Sequence, residues 1–238
     1  MLARLITNLL APRRPATLAG EDYRQLLARI HAALRPRTYI EIGIKDGASL
    51  RLASAGTRAI GVDPEPRVRG ALPGNVSVVA KTSDDFFAQY DVQAELGGPV
   101  ELAFIDGMHL FEFVLRDFIN LERHCTAHST ILIHDCYPLD EASSARSRST
   151  AVWTGDVWRA LLALRAERPD LAIATLATPP SGLAVIRNLD PASTRLAQRY
   201  EAIVATWMTR PYADIAPRKA ELLNLVPADW PAASRLLR

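Results

Sequence analysis

Hydrophobic and polar positions alternate with two different periods along the central part of this chain. Five short apolar runs predict strands, and the amphipathic stretches between them predict helices. Residues 110–122, for example, carry Phe111, Val114, Leu115 and Phe118 on one helical stripe. Strands that alternate with helices in this way indicate an α/β fold, a parallel sheet covered by helices on both faces. The predicted strands are residues 38–42, 58–62, 76–79, 101–105 and 130–134.

The C-terminal half predicts two more strands with a different orientation. Residues 155–168 have helical spacing, and the apolar runs 171–176 and 183–186 follow with only a short link between them. A parallel crossover needs about a dozen residues or more, so these two strands are predicted to form an antiparallel hairpin. The expected sheet therefore has seven strands, five of them parallel and closed by a terminal antiparallel hairpin.

The segments outside this pattern predict two helical extensions around a domain at residues 36–189. Residues 1–35 hold a short apolar stretch, a Pro/Arg linker and a helix that Pro36 ends. The first ten residues can form a helix that docks on the body or on another subunit, which leaves a homo-oligomer open. Residues 190–238 predict a helix and a Pro-rich tail that pack on the same domain.

Composition is that of an ordinary globular protein. Of the 238 residues, 49% are hydrophobic and 23% charged, with 28 Lys and Arg against 26 Asp and Glu. The basic residues are scattered, so nucleic acid is not expected as a partner. No apolar run reaches the roughly 20 residues of a membrane span, and none suits a signal peptide. Cys125 and Cys136 are expected as free thiols, and a cytoplasmic location is predicted.

The turn after the first predicted strand carries the most informative motif. Glu41 and Gly43 end that strand, Gly47 follows four residues after Gly43, and an amphipathic stretch comes next. Strand, glycine turn and helix N-terminus together place backbone N–H groups where a nucleotide-like ligand can bind. The Glu41 carboxylate would repel a dinucleotide pyrophosphate and attract a ligand that carries an amino group and a sulfonium. The motif therefore favours S-adenosylmethionine over NAD.

Polar residues also follow the next two strands, at the edge of the sheet where doubly wound folds bind their ligands. Asp63 ends the second strand, where a carboxylate can accept both ribose hydroxyls; the alternative is a turn-initiating Asp before Pro64. Thr82, Ser83 and Asp84 follow the third strand and can hydrogen-bond the adenine edge, cap a helix, or do both.

Taken in order, these motifs resemble those of class I S-adenosylmethionine-dependent methyltransferases. From about residue 35 to residue 187 the chain is similar to the small bacterial group of methyltransferase domain type 24. The resemblance implies a Rossmann-like methyltransferase fold and a donor held by Glu41, Gly43, Asp63 and the turn after the third strand. The residues predicted to bind the donor are Glu41, Gly43, Gly47, Asp63, Thr82, Ser83, Asp84 and Asp106. The motifs that carry the resemblance are Glu41-Ile-Gly-Ile-Lys-Asp-Gly47, Gly61-Val-Asp63, Phe104-Ile-Asp-Gly-Met-His109 with Phe111-Glu-Phe-Val-Leu-Arg-Asp117, and Ile131-Leu-Ile-His-Asp135.

Asp106 and Asp135 end strands that are expected to be neighbours, ~4.8 Å apart. Two carboxylates this close repel each other unless one is protonated or a cation lies between them. Mg²⁺ would accept their oxygens and lower the pKa of a substrate hydroxyl. Metal-dependent O-methyltransferases use carboxylates at similar positions. This chain departs from them at Cys136, where an oxygen ligand often follows, and at Met108, which is commonly acidic in the type 24 group.

Without a metal, His109 or His134 is predicted to take the proton of an acceptor hydroxyl, because imidazole titrates near neutral pH. The predicted catalytic residues are therefore His109, His134 and Asp135, and structural histidines are the alternative. An acceptor that is already a good nucleophile would need no base, since methyl transfer depends mainly on positioning.

Residues 138–152 predict a long polar loop beside this site, of the kind that binds ligands. In this loop, Arg146 and Arg148 either bind an anionic methyl acceptor or are solvated. Trp153 and Trp158 either contact a sugar or ring or pack in the core.

The function expected from the sequence is O-methylation of a small molecule or glycan hydroxyl. One alternative is an NAD-dependent oxidoreductase, which Glu41, the missing third glycine and the predicted hairpin disfavour. The other is a non-catalytic binding domain of the same fold.

Overall fold

The computed structural model describes residues 18–238 and contains one mixed sheet of eight strands. The strands are β1 (Thr38–Ile42), β2 (Arg58–Val62), β3 (Val76–Val79), β4 (Val100–Ile105), β5 (Cys125–His134), β6 (Ala172–Leu176), β7 (Leu183–Arg187) and β8 (Leu225–Val226).

Helices cover both faces of this sheet. They are α1 (Tyr23–Leu34), α2 (Ser83–Gln89), α3 (Val92–Leu96), α4 (Phe111–Glu122), α5 (Trp158–Glu167), α6 (Arg195–Met208), α7 (Lys219–Leu222) and α8 (Trp230–Leu236). Short 3-10 segments lie at Leu50–Leu52, Tyr212–Asp214 and Ala216–Arg218. Among residues 18–238, none of the helices is both long and apolar enough to cross a membrane.

The strand order is β3-β2-β1-β4-β5-β7-β6-β8. Strands β1 to β5 run parallel, and β7 pairs antiparallel with both β5 and β6. The predicted parallel sheet and terminal hairpin are confirmed. The predicted count of seven strands is wrong, because β8 adds an eighth strand beside β6. Two residues are too few to show a strand period in the sequence.

Two further elements differ from the sequence prediction. The stretch after Gly47 forms only the 3-10 segment Leu50–Leu52, because β2 begins at Arg58 and leaves little length for a stable α-helix. Strand β5 begins at Cys125 rather than at residue 130, with an irregular register between Val100 and Leu102 on its neighbour β4.

Alternate residues of the strands fill two hydrophobic cores, one on each face of the sheet. In β1, Ile40 and Ile42 pack in the core beneath α4 and α5, whereas Tyr39 packs in the core beneath α1 and α8. Each strand of the sheet interior is therefore buried on both faces, as in other parallel sheets.

The two predicted extensions contact each other in the described part of the chain. Glu21 donates its backbone N–H to the Ala228 carbonyl (2.9 Å), and its side chain accepts from the Trp230 backbone N–H (3.1 Å). Helices α1 and α8 thus share one face of the sheet. The predicted helix within the first ten residues lies outside the described residues, and the predicted domain boundaries stay a prediction.

Candidate active site

A cavity of about 610 Å³ opens at the carboxyl ends of the parallel strands, around the point where the strand order reverses between β1 and β4. Its walls include seven of the residues predicted for the site: Gly43, Asp63, Thr82, Ser83, Asp84, Asp106 and His109. Glu41, Gly47, His134 and Asp135 do not line it.

The glycine loop is shaped by a close approach and by a carboxylate. Gly43 has a φ of +83°, and a Cβ there would overlap the Asp106 carbonyl, so no other residue fits this turn. Asp63 Oδ2 accepts from the backbone N–H groups of Ile44 (3.0 Å) and Lys45 (2.9 Å). A carboxylate of the protein already occupies these N–H groups. A pyrophosphate would therefore meet negative charge at this loop, supplied by Asp63.

Glu41, the residue predicted to provide that charge, lies elsewhere. Its side chain points to the face opposite the cavity and is fully buried, where it accepts from Tyr39 Oη (2.8 Å) and from the Ser49 hydroxyl. Burial raises the pKa of Glu41 to about 8, so the carboxyl is largely protonated at neutral pH. Glu41 therefore does not place a negative charge in the cavity, and the prediction that its side chain attracts a cationic ligand is not supported.

The polar residues after β3 are mostly committed to other protein groups. Thr82 caps α2 by accepting from the Asp85 N–H (3.1 Å), and Asp84 forms two bonds with the Arg116 guanidinium (3.0 and 2.8 Å). Behind them Asp117 of α4 lines the cavity, and its carboxyl Oδ1 is buried with no hydrogen-bond partner among residues 18–238. Asp117 ends one of the motifs that carry the family resemblance, but it was not predicted as a site residue.

Asp106, Asp135 and two histidines form a cluster at the ends of β4 and β5. His134 Nδ1 lies 3.2 Å from Asp106 Oδ1 and 3.5 Å from Asp135 Oδ2. His109 Nδ1 lies 3.2 Å from Asp135 Oδ2, and its Nε2 lies 3.8 Å from Asp106 Oδ1. The four predicted side chains are therefore together, with His109 at the cavity wall and His134 behind it.

The charges in this cluster follow from its burial. Burial alone would lower the pKa of His134, but the Asp106 and Asp135 carboxylates raise it to about 10. The His134 charge in turn holds the pKa of Asp135 below its usual value despite burial. His134 is therefore an imidazolium at neutral pH. It supplies the cation that two adjacent carboxylates require.

Neighbouring residues hold this cluster in place, and most of them were missed from the sequence. The Tyr23 ring of α1 lies against the His134 ring, with 4.0 Å between centroids, and the Ser181 hydroxyl donates to Asp135 Oδ1. Asp135 itself has a φ of +53°, a left-handed conformation that Asp tolerates better than most residues. Trp153 stacks on His109 with 5.1 Å between ring centroids.

The donor atoms of Asp106, His134 and Asp135 lie within 4.8 Å of one another, so the chain can also hold a metal ion here. Two carboxylates and one imidazole suit a divalent transition-metal ion better than Mg²⁺, which prefers oxygen ligands. His134 would have to lose its proton to bind a metal.

The structure of the loop after β5 shows which of its arginines and tryptophans face the cavity and which are bound within the protein. Arg146 pairs with Glu112 (2.5 Å) and with the buried Asp156 (2.7 Å), so its charge is neutralised within the protein. Arg148 lines the cavity instead. Trp158 is buried in the core, whereas Trp153 borders the cavity.

Comparison with known proteins agrees with the motifs and the fold. Residues 40–136 match the family model of the type 24 methyltransferase domain. No curated protein matches the chain in sequence.

The fold is similar to those of several solved structures. One is cofactor-bound Rv0187 from MTB, at 18% identity and a TM-score of 0.56 over 79% of this chain and 88% of that chain. Another is the O-methyltransferase TomG from Streptomyces achromogenes in complex with SAM, at 16% identity and a TM-score of 0.56 over 79% and 87%. A third is the O-methyltransferase from Bacillus cereus in complex with SAH, at 16% identity and a TM-score of 0.53 over 78% and 96%. Residues 40–136 therefore match a methyltransferase domain, the chain has a class I methyltransferase fold, and the predicted enzyme class is confirmed.

Proposed function

We propose that this protein transfers the methyl group of S-adenosylmethionine to a hydroxyl oxygen of a small molecule or sugar. The observation that carries the proposal is the cavity with Asp63 at its glycine loop and the His109 cluster on its wall. It is supported by the family match over residues 40–136, and by similar folds that belong to O-methyltransferases in complex with SAM or SAH.

In this proposal the donor lies along the carboxyl ends of β1 to β4. Asp63 keeps its bonds to the loop N–H groups through Oδ2, and its Oδ1, which also accepts from the Glu65 backbone N–H (2.8 Å), has a lone pair left to accept from a ribose hydroxyl. Gly43 lets the chain pass close to Asp106. Lys45 and Gly47 add two further left-handed positions to the turn, with φ of +47° and +74°. Thr82, Ser83 and Asp84 border the adenine end. Glu41 acts indirectly, by bonding Ser49 under the loop.

The acceptor hydroxyl is proposed to lose its proton to His109. Its Nδ1 faces Asp135 Oδ2 (3.2 Å) and the Trp153 carbonyl (3.1 Å), both of which accept, so Nδ1 carries the proton and Nε2 is free to take another. The oxygen then attacks the methyl carbon, the C–S bond breaks toward sulfur, and neutral S-adenosylhomocysteine leaves. Asp106, 3.8 Å from Nε2, stabilises the imidazolium that forms.

A divalent metal ion is the second candidate for activating the acceptor. Asp106, Asp135 and His134 would hold it, and it would lower the pKa of the acceptor hydroxyl. The imidazolium of His134 favours the metal-free form, because it already occupies the space between the two carboxylates.

An NAD-dependent oxidoreductase is disfavoured on physical grounds. The Asp63 carboxylate occupies the loop N–H groups that a pyrophosphate would need. A small molecule or glycan remains the proposed acceptor. Nucleic acid is not proposed as a partner, and a cytoplasmic location and a homo-oligomer stay predictions.

Calorimetry with S-adenosylmethionine, S-adenosylhomocysteine and NADH tests the donor, and an acceptor screen that follows release of S-adenosylhomocysteine tests the transfer. We expect micromolar-range binding of both sulfur ligands, the range usual for enzyme cosubstrates, and no binding of NADH. Tight binding of NADH with no response to the sulfur ligands would overturn the proposal.

A further inference from the structure

Asp117 is the buried polar group of the cavity that the chemistry above does not use. It lies on α4 one turn after Phe113, and both residues line the cavity. The residue is only 2% exposed, and its carboxyl Oδ1 bonds to nothing in the described part of the chain. A buried hydrogen-bond acceptor without a donor lowers the stability of the folded state. Such groups are rare in native proteins, so each one calls for an explanation.

The other acids near this end of the cavity already have donors. Asp84 accepts two bonds from the Arg116 guanidinium, and Asp63 accepts from the loop N–H groups. Thr82 is occupied as the cap of α2. Asp117 therefore offers the acceptor oxygen that a ligand group entering between α2 and α4 would meet.

We propose that Asp117 accepts a hydrogen bond from the exocyclic amino group of the donor's adenine and so selects a 6-aminopurine over a 6-oxopurine. This inference rests on the proposed function. Phe113 and Met108 line the same cavity and offer apolar surface to a flat ring. An amino group presents N–H donors to the carboxyl, whereas a 6-oxo group presents lone pairs that repel it. The sequence assigned the adenine edge to Thr82, Ser83 and Asp84; this proposal adds the residue behind them.

The charge state of Asp117 gives the proposal a second readout. Burial raises the pKa of Asp117 to about 7, against the opposing effects of the Ser83 hydroxyl and the Arg116 charge, while the Asp84 charge raises it further. A hydrogen bond to the ionised form lowers a carboxyl pKa. Binding of the amino group near pH 7 is therefore expected to release protons from the protein.

The test compares S-adenosylhomocysteine with S-inosylhomocysteine, its 6-oxo analogue, by calorimetry on the wild type, Asp117→Asn and the control Asp214→Asn, whose side chain is exposed and does not line the cavity. A bond to a charged acceptor predicts a wild-type preference of about 10- to 100-fold for the amino ligand. Asn presents a donor as well as an acceptor, so Asp117→Asn is expected to reduce that preference to within about threefold. Asp214→Asn should keep the wild-type preference.

A wild type without preference, or an Asp117→Asn variant that keeps the wild-type ratio, overturns the inference and leaves the proposed function intact. A wild type that binds neither ligand overturns both. If Asp117→Asn does not fold, the wild type alone tests the proposal. Its binding enthalpy, measured near pH 7 in buffers with different ionisation enthalpies, gives the number of protons released on binding of each ligand. Proton release should accompany the amino ligand and not the 6-oxo ligand, because Glu41, which also titrates near this pH, does not line the cavity. Equal release for both ligands contradicts the proposal.

Discussion

Replacing Glu41 with Gln is expected to stabilise the protein at alkaline pH. Glu41 is fully buried, and its pKa is raised by burial from 4.5 to about 8. Between these values the unfolded chain has lost the proton that the folded protein keeps. The unfolded state then binds fewer protons, so stability must fall as the pH rises through this window.

The size of the effect follows from the pKa shift. At about 1.4 kcal/mol per pKa unit, a shift from 4.5 to about 8 corresponds to a ceiling of roughly 5 kcal/mol across the window. Gln has no proton to lose and can serve both partners, since its carbonyl accepts from Ser49 and its amide donates to Tyr39 Oη. The stability of Glu41→Gln relative to the wild type should therefore rise by up to about 1.4 kcal/mol for each pH unit.

Urea unfolding of both proteins from about pH 5 to about pH 8 measures this difference. Taking the difference cancels the pH dependence that Asp117 and His134 give to both proteins. Glu65→Gln is the matched control, because that side chain is 80% exposed and should show a flat difference. A Glu41→Gln difference that stays constant across the window would refute the reasoning. The variant should also bind S-adenosylhomocysteine normally, because this side chain does not line the cavity.

Four further predictions concern the site. Asp63→Asn should weaken S-adenosylhomocysteine binding by at least about tenfold in calorimetry, because it loses a charged acceptor for the loop and the ribose. Asp135→Asn should leave that affinity within about threefold and lower kcat by at least about 100-fold, since His109 loses its orienting carboxylate; full activity would contradict the proton-transfer step. Methyl transfer should survive EDTA, and a loss that Mn²⁺ restores would instead favour the metal form. Tyr23→Ala should lower kcat more than Tyr23→Phe, because the Phe ring keeps the contact with His134, and equal losses would argue against that role.

Much of the fold follows from periodicity and connection length. The parallel sheet was predicted from strands that alternate with helices. The hairpin was predicted because the link between the last two strands, residues 177–182 in the structure, is too short for a crossover. The short β8 has no such signal, because its pairing with β6 depends on how the C-terminal segment folds back along the sheet edge.

The site was predictable where a residue's position in a strand decides its environment. Asp63, Asp106 and His109 reach the cavity because they follow the ends of their strands. Glu41 was misjudged although the alternation along β1 was visible, since it places Glu41 with Tyr39 on the face away from the cavity.

Other site residues depend on contacts that no local pattern reveals. Tyr23 lies in α1, far along the chain from the His134 ring that it covers, and Ser181 comes from the β6–β7 link. Asp117 depends on the rotation of α4 about its axis, which is set by packing against the sheet rather than by spacing alone.

The bonds that join Glu21 to Ala228 and Trp230 limit how this protein can be shortened. Thr178 also donates to the Glu21 carbonyl (2.6 Å), and the Arg29 guanidinium lies over the Trp230 ring at 4.9 Å. A fragment trimmed to the family match at residues 40–136 would lose both sides of these contacts, including the helix that carries Tyr23. His134 would then be open to water on one face. Minimal versions for crystallisation or for biosensors must therefore keep residues from both ends, even though the recognisable motifs lie only in the middle.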